Sequence, residues 1–275
     1  MLGCLAGRGP DSAGFAVYRD PAAADYAKVV LQHPDPAHPW ERTLGDLSPV
    51  SIRRTWTHAV AVLPREALPH LAAADPAATL MSAGSEIEIF KETGHPADVI
   101  RAFALESVAG SHAIGHTRMA TESAVTTAGS HPFSTGDDLC LVHNGSLSNH
   151  NTLRRRLRRE GISFRTENDS EVAAGYLSWR LRSGDSLEQA LRSALADLDG
   201  FFTFAIGTRG GFAVLRDPIA CKPAVLAETP LYVAMASEYR SLAHLPDIES
   251  ARIVEPEPGK IYSWSRSPSG QRLAA

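Results

Sequence analysis

The sequence predicts an α+β fold of two stacked antiparallel sheets with helices outside them. Three observations support this. HAIGHTR from His112 and LCLVHNG from Leu139 are short apolar runs that end in polar residues, as buried strands delivering a site would read. Two helical stretches follow, at 170–182 and 186–198. Strand-like runs then come at 201–207, 211–216, 223–227 and 231–236, so the order is sheet, helices, sheet.

The elements can be justified in chain order. FAVYRD (Phe15–Asp20) reads as a strand leaving the Gly-Pro-Asp turn of RGPDSAG. The Pro, Asp and His content of residues 32–50, with QHPDPAHPW at its start, reads as a surface loop. Thr57–Leu63 is a strand, followed by an Ala-rich helical stretch to about Ala74. Thr79–Ser82 and Ile87–Lys91 form an expected hairpin around Gly84, and Ala97–Leu105 is helical. Residues 50–110 are expected to be an inserted α/β subdomain within a single domain covering 1–275. Asn151–Glu160 is a helix whose Leu153 and Leu157 share a face and which Gly161 stops. Its arginines, Arg154–Arg159, read as a solvated face, because no aromatic interleaving or basic excess accompanies them. At 186–198, Ser186 and Gln189 form a capping box, and Leu187, Ala190, Leu191, Ala194, Leu195 and Leu198 follow helical spacing.

A chain of 275 residues, 44% hydrophobic and 21% charged, is long enough to bury a sizeable core. A formal charge of −4 gives no reason to expect nucleic acid or membrane surface as partners. No apolar run approaches the roughly 18 residues of a membrane span. Cys4, Cys140 and Cys221 are widely spaced, with no CxxC pair, so neither a disulfide framework nor a metal site is expected. A reducing, cytoplasmic setting is the default.

The chemistry-bearing words are RGPDSAG at Arg8, GHTRMAT at Gly115, SHPF at Ser130, LVHNGSLSN at Leu141, NDSE at Asn168, GFFTFAIGT at Gly200 and RDPIACKP at Arg216. Their wording and order resemble the glutaminase domain of the class II, or N-terminal-nucleophile, glutamine amidotransferases. The resemblance covers 8–18 and 112–262 well and 50–110 only loosely. It implies a four-layer αββα sandwich and the release of ammonia from glutamine.

By matching motif, the resemblance implies that Asn144 and Gly145 supply the oxyanion donors, a side-chain amide and a backbone N–H. The Asn-Gly pair itself reads as a tight turn just after a strand. Arg118 matches the arginine that holds the substrate carboxylate, which suits a bidentate guanidinium. Asp169 matches the carboxylate for the substrate ammonium, and its place also suits the first turn of a helix. Thr121 and His131 match residues that line the pocket. Arg8 and Gly9 match the turn beside the nucleophile, and His143 is expected to orient the HNG segment. Asp217 and Lys222 are expected to be structural.

The family's nucleophile is an N-terminal cysteine whose α-amine, with a pKa near 7.7–8.0, serves as the base. A strand and a helix separate that cysteine from RGPDS, which here begins at Arg8. The nucleophile is therefore left unassigned. Cys4 is not expected to serve, Cys140 reads as a core residue, and Cys221 lacks an adjacent base. Met119, Glu122 and the SHPFSTG wording are more similar to the free-standing glutaminase-like subunits of glutamate-synthase and N-methylglutamate-synthase systems. That likeness implies a partner resembling the glutamate synthase large subunit, carrying FMN and iron–sulfur clusters, with no cofactor in this chain. The alternative is a non-catalytic glutamine-binding or scaffolding subunit.

Overall fold

The structure, a computed structural model, describes residues 1–120 and 124–266, with 135 and 273–274 described by backbone alone. After a 3-10 helix at Leu2–Arg8, strand β1 (Ser12–Tyr18) forms the middle of a three-stranded antiparallel sheet. β6 (Ile87–Thr93) lies on one side of β1 and β7 (His112–Arg118) on the other. A second sheet runs in the order β16-β15-β11-β10-β9-β8. Its members are β8 (Phe133–Gly136), β9 (Leu139–Leu147), β10 (Gly200–Thr208), β11 (Gly211–Arg216), β15 (Ile261–Ser265) and β16 (Leu273–Ala274).

Strand alternation decides what each face of the second sheet buries. Cys140, Val142 and Ala205 face the first sheet and pack with Ala16, Tyr18 and Ile114. Leu139, Leu141, Phe202, Phe204 and Ile206 face the other way, under helices α4 (His150–Arg159), α5 (Asp169–Arg182) and α6 (Leu187–Asp197). Helix α3 (Pro96–Ala102) closes the opposite side, where Val99 and Phe103 pack on Phe15 and Phe90. The layers are thus α3, three-stranded sheet, six-stranded sheet and α4–α6, the αββα sandwich that the sequence resemblance implies. α6 begins on the Ser186–Gln189 capping box and buries Ala190, Leu191 and Ala194.

A third sheet, in the order β3-β4-β2-β5, comprises β2 (Tyr26–Gln32), β3 (Ser51–Thr55), β4 (His58–Pro64) and β5 (Thr79–Gly84). Val30, Val60 and Met81 join the core shared with β1, while Val29, Leu31, Ala59, Ala61 and Leu63 pack under α1 (Trp40–Thr43) and α2 (Leu71–Ala74). Residues 50–110 are split between sheets: β3, β4 and β5 join β2, and β6 joins β1. The remaining strands, β12 (Val225–Glu228), β13 (Val233–Ala236) and β14 (Arg252–Val254), form a small sheet ordered β13-β12-β14.

Three local expectations are corrected. β5 and β6 do not form a hairpin, because the Asp138 carboxylate accepts the backbone N–H groups of Ser85, Glu86 and Ile87 at 2.8–3.0 Å and turns the chain from one sheet to the other. The 32–50 loop is not purely surface, since Trp40 and Leu44 are buried in the core under α2. Arg154 does not lie on a solvated face. It is buried, donates to the carbonyls of Thr166 and Asn168, and lies over the Phe164 ring.

Candidate functional site

Gly9, Arg118, Asn144, Gly145 and Asp169 lie toward one end of the two stacked sheets. Gly9 lies flat against the end of β7, where an added Cβ would sit 2.5 Å from the Arg118 nitrogen and from the Thr117 carbonyl carbon. Only glycine admits that approach. Two residues on, the Asp11 N–H donates to the Arg118 carbonyl at 3.1 Å, and the Asp11 carboxylate accepts Ala120 N–H at 2.8 Å. The RGPD turn is thereby bolted to the HTR strand end. Arg8 itself leans outward to pair with Glu238 at 2.8 Å.

Arg118 is buried, and Nη1 approaches the Ala124 carbonyl at 3.4 Å. Burial pulls its guanidinium below the ordinary arginine value, against the opposing charges of Asp11 and Asp169. A buried guanidinium carries the bidentate fork that a ligand carboxylate requires.

Asn144 and Gly145 depart from the sequence reading. They do not form a tight turn but lie within β9, registered against Thr203 and Phe202 of β10. Gly145 has φ of +148°, and an added Cβ would fall 2.0 Å from the Phe201 carbonyl oxygen. β8 registers on β9 only at Leu139 and Leu141, so the Asn144–Leu147 stretch has β10 on one side and the start of α5 on the other. Gly145 is exposed there.

α5 brings the acid. Asn168 caps the helix by accepting Ser170 N–H at 2.9 Å, which makes Asp169 its first residue. Asp169 Oδ2 accepts Leu147 N–H at 2.8 Å, and Oδ1 lies 3.7 Å from His143 Nδ1. Burial alone would raise this carboxyl, but the His143 ring and the Leu147 N–H prevail and hold it below the usual carboxylate range. The first-turn place read for Asp169 is what the helix shows.

Beneath the site lies a group that sequence reasoning missed as a unit. The Ser170 hydroxyl sits 3.0 Å from His131 Nε2, 3.0 Å from His143 Nδ1 and 3.3 Å from Asp169 Oδ1. The rings of His116 and His131 pack at a 31° tilt with centroids 4.2 Å apart. Burial drives His116 down to about 4 and His131 well below the ordinary histidine value, aided by the neighbouring imidazoles. These rings are neutral at pH 7. His131 therefore sits buried behind Ser170, and His143 braces Gly145, whose added Cβ would lie 2.8 Å from His143 Nε2. The signal was present: Ser170 lies inside NDSE and His116 inside GHTR. Thr121 lies outside the described residues.

The cysteines are dispersed. Cys140 is fully buried, 3.5 Å from the Tyr18 hydroxyl, and burial pushes its thiol up to about 11. Cys221 is exposed beyond β11. Cys4 lies in the first 3-10 helix, its N–H bonded to the Met1 carbonyl. Asp217 is structural, accepting the N–H groups of Phe202, Ile219 and Ala220. Among the described residues, no helix is long and apolar enough to cross a membrane.

With this geometry in view, comparison with known proteins is informative. A family model described as "Glutamine amidotransferase domain" matches residues 116–244, which includes Arg118, His131, Asn144, Gly145 and Asp169. The chain is 57% identical over 272 residues to "Glutamine amidotransferase-like protein GlxB" of Rhizobium meliloti, covering 96% of this chain and 90% of that protein. It is 30% identical over 190 residues to an amidophosphoribosyltransferase of Methanocaldococcus jannaschii, covering 66% of this chain and 40% of that one. In fold it is similar to the glutamine phosphoribosylpyrophosphate amidotransferase from B. subtilis, with a TM-score of 0.56 and 20% identity over 96% of this chain and 48% of that one.

Proposed function

The chain belongs to the glutamine amidotransferase family, and from that premise we propose that it binds free glutamine between Arg118 and Asp169. Arg118 takes the α-carboxylate and Asp169 the α-ammonium. The side-chain amide is then directed toward Asn144 and Gly145, which serve as donors to the oxyanion formed when a thiol attacks the amide carbon. The carrying observation is the convergence of a buried cation, an ionised carboxylate and the glycine-dependent β9 segment at one sheet end. Ammonia released there would pass to a separate synthase subunit resembling the glutamate synthase large subunit, which would carry the FMN and iron–sulfur groups.

A second reading is glutamine binding without hydrolysis, in keeping with Cys140, which is sealed in the core with its proton held. Ammonia release from glutamine by the full-length gene product separates the two readings. Turnover that is lost on Arg118→Ala supports the hydrolytic reading. Saturable binding with no ammonia released supports the second.

A further inference from the structure

We propose that His33, His38 and Asp75 hold a divalent cation of the zinc type at the edge of the β2–β5 sheet. The three come from separate segments. His33 follows β2 and is fixed by its N–H, which donates to the Thr57 carbonyl at 2.9 Å. His38 precedes α1 and lies edge-on to the buried Trp40, with centroids 4.5 Å apart. Asp75 ends α2. The two imidazoles stack at 4.0 Å, and both aim Nε2 at the same carboxylate oxygen, Asp75 Oδ2, at 3.7 Å and 3.3 Å. The ligand atoms all lie within 4.8 Å of one another, and no other such set occurs among the described residues.

Hydrogen bonding does not account for this convergence. His33 is too far from Asp75 at 3.7 Å to bond it, and one carboxylate oxygen facing two parallel imidazoles leaves the second ring poorly served. A shared cation serves both. Tetrahedral zinc with bonds of about 2.0–2.1 Å spaces its ligand atoms about 3.4 Å apart. The 3.3 Å and 3.7 Å separations bracket that value. The surroundings also suit a metal. Asp75 Oδ1 is occupied by Ala77 N–H at 2.8 Å, leaving Oδ2 for the ion. His33 Nδ1 accepts the Asp35 N–H at 3.0 Å and lies 3.4 Å from the Asp35 carbonyl, so coordination through Nε2 moves the ring proton to Nδ1 and trades the N–H for the carbonyl as its partner. The Thr43 hydroxyl, 2.8 Å from His38 Nε2, either turns aside or completes the coordination with water. Two imidazoles and one carboxylate favour zinc, cobalt or nickel over calcium or magnesium. The ion would staple the end of β2 to the loop before α1 and the end of α2. This inference does not depend on the glutamine reading.

The test uses the full chain, stripped with EDTA and titrated with Zn²⁺ by calorimetry and with Co²⁺ by visible absorption. One equivalent should bind, raise the melting temperature and give a tetrahedral Co²⁺ spectrum without thiolate charge transfer. Asp75→Asn and His33→Gln, each checked for folding by circular dichroism, should weaken binding at least about 100-fold, the upper end of what an outer-shell loss alone costs. Absence of stoichiometric binding by the unsubstituted chain would overturn the proposal. So would binding that persists in both folded variants, or a Co²⁺ spectrum showing thiolate ligation.

Discussion

The molecule carries two histidine clusters, one at each of two sheets, and they are built on opposite principles. The His116–His131–His143 group under the sandwich is buried, and the Ser170 hydroxyl joins two of its rings to Asp169. The His33–His38 pair on the β2–β5 sheet is partly open, and both rings aim Nε2 at one carboxylate oxygen. In the first, desolvation keeps His116 and His131 neutral, and the group acts as shaped, hydrogen-bonding packing beside Gly145 and Asp169. In the second, two nitrogens converge on one carboxylate oxygen, as ligands of a shared cation would. The same residue type thus serves as scaffold or as candidate ligand according to what satisfies its second nitrogen.

The largest expected effect breaks the first region alone. Gly145→Ala puts a Cβ 2.0 Å from the Phe201 carbonyl at a φ of +148°, so β9 and β10 must part. A loss of about 3 kcal/mol or more is expected from strain and overpacking together. Urea denaturation reads it, and glutamine binding should vanish while any Zn²⁺ binding persists.

Asp138→Ala strikes the joint between the regions. It strips a buried acceptor from three backbone N–H groups at the β5–β6 turn, and about 2–3 kcal/mol should be lost. Hydrogen exchange should show the Ser85–Ile87 amides deprotected first. Ser170→Ala is milder, costing about 1–2 kcal/mol, because it removes one hydroxyl yet strands two imidazoles. Its signature should be weaker glutamine binding with unchanged metal binding, a split visible by calorimetry on one sample.

The pH dependence sharpens the contrast further. His58 on β4 is lowered to about 3 and His116 on β7 to about 4, in each case chiefly by burial. The unfolded chain takes up their protons near pH 6.5, but the folded chain does not until the lower values. Stability should therefore hold above about pH 6.5 and fall from there toward pH 4 and then 3. His58→Leu should flatten part of that slope, as read from urea midpoints across pH. Asp169 acts in the same sense over a lower window: its stabilisation is present above the ordinary carboxylate value near 3.9 and is lost as pH falls through the lowered one.

What the sequence disclosed follows from the range of the forces involved. α4, α5 and α6 were legible because caps and apolar spacing act within a few residues, as in the Ser186–Gln189 box. β10 and β11 were legible from their apolar runs. The β5–β6 hairpin was misread because Asp138, more than fifty residues away, decides that turn. The Asn144–Gly145 pair was misread because local turn chemistry lost to pairing with Phe202 and Thr203. Trp40 and His38 were hidden in a Pro-rich stretch, although a tryptophan there was a sign of burial.

The most direct measurement of the central claim is calorimetric titration of the purified chain with glutamine, repeated on Arg118→Ala and Asp169→Asn. The account predicts saturable one-to-one binding that weakens at least about 100-fold in each variant, since both remove a charged partner of the ligand. Binding unchanged in both variants, or no binding by the folded chain, would contradict it.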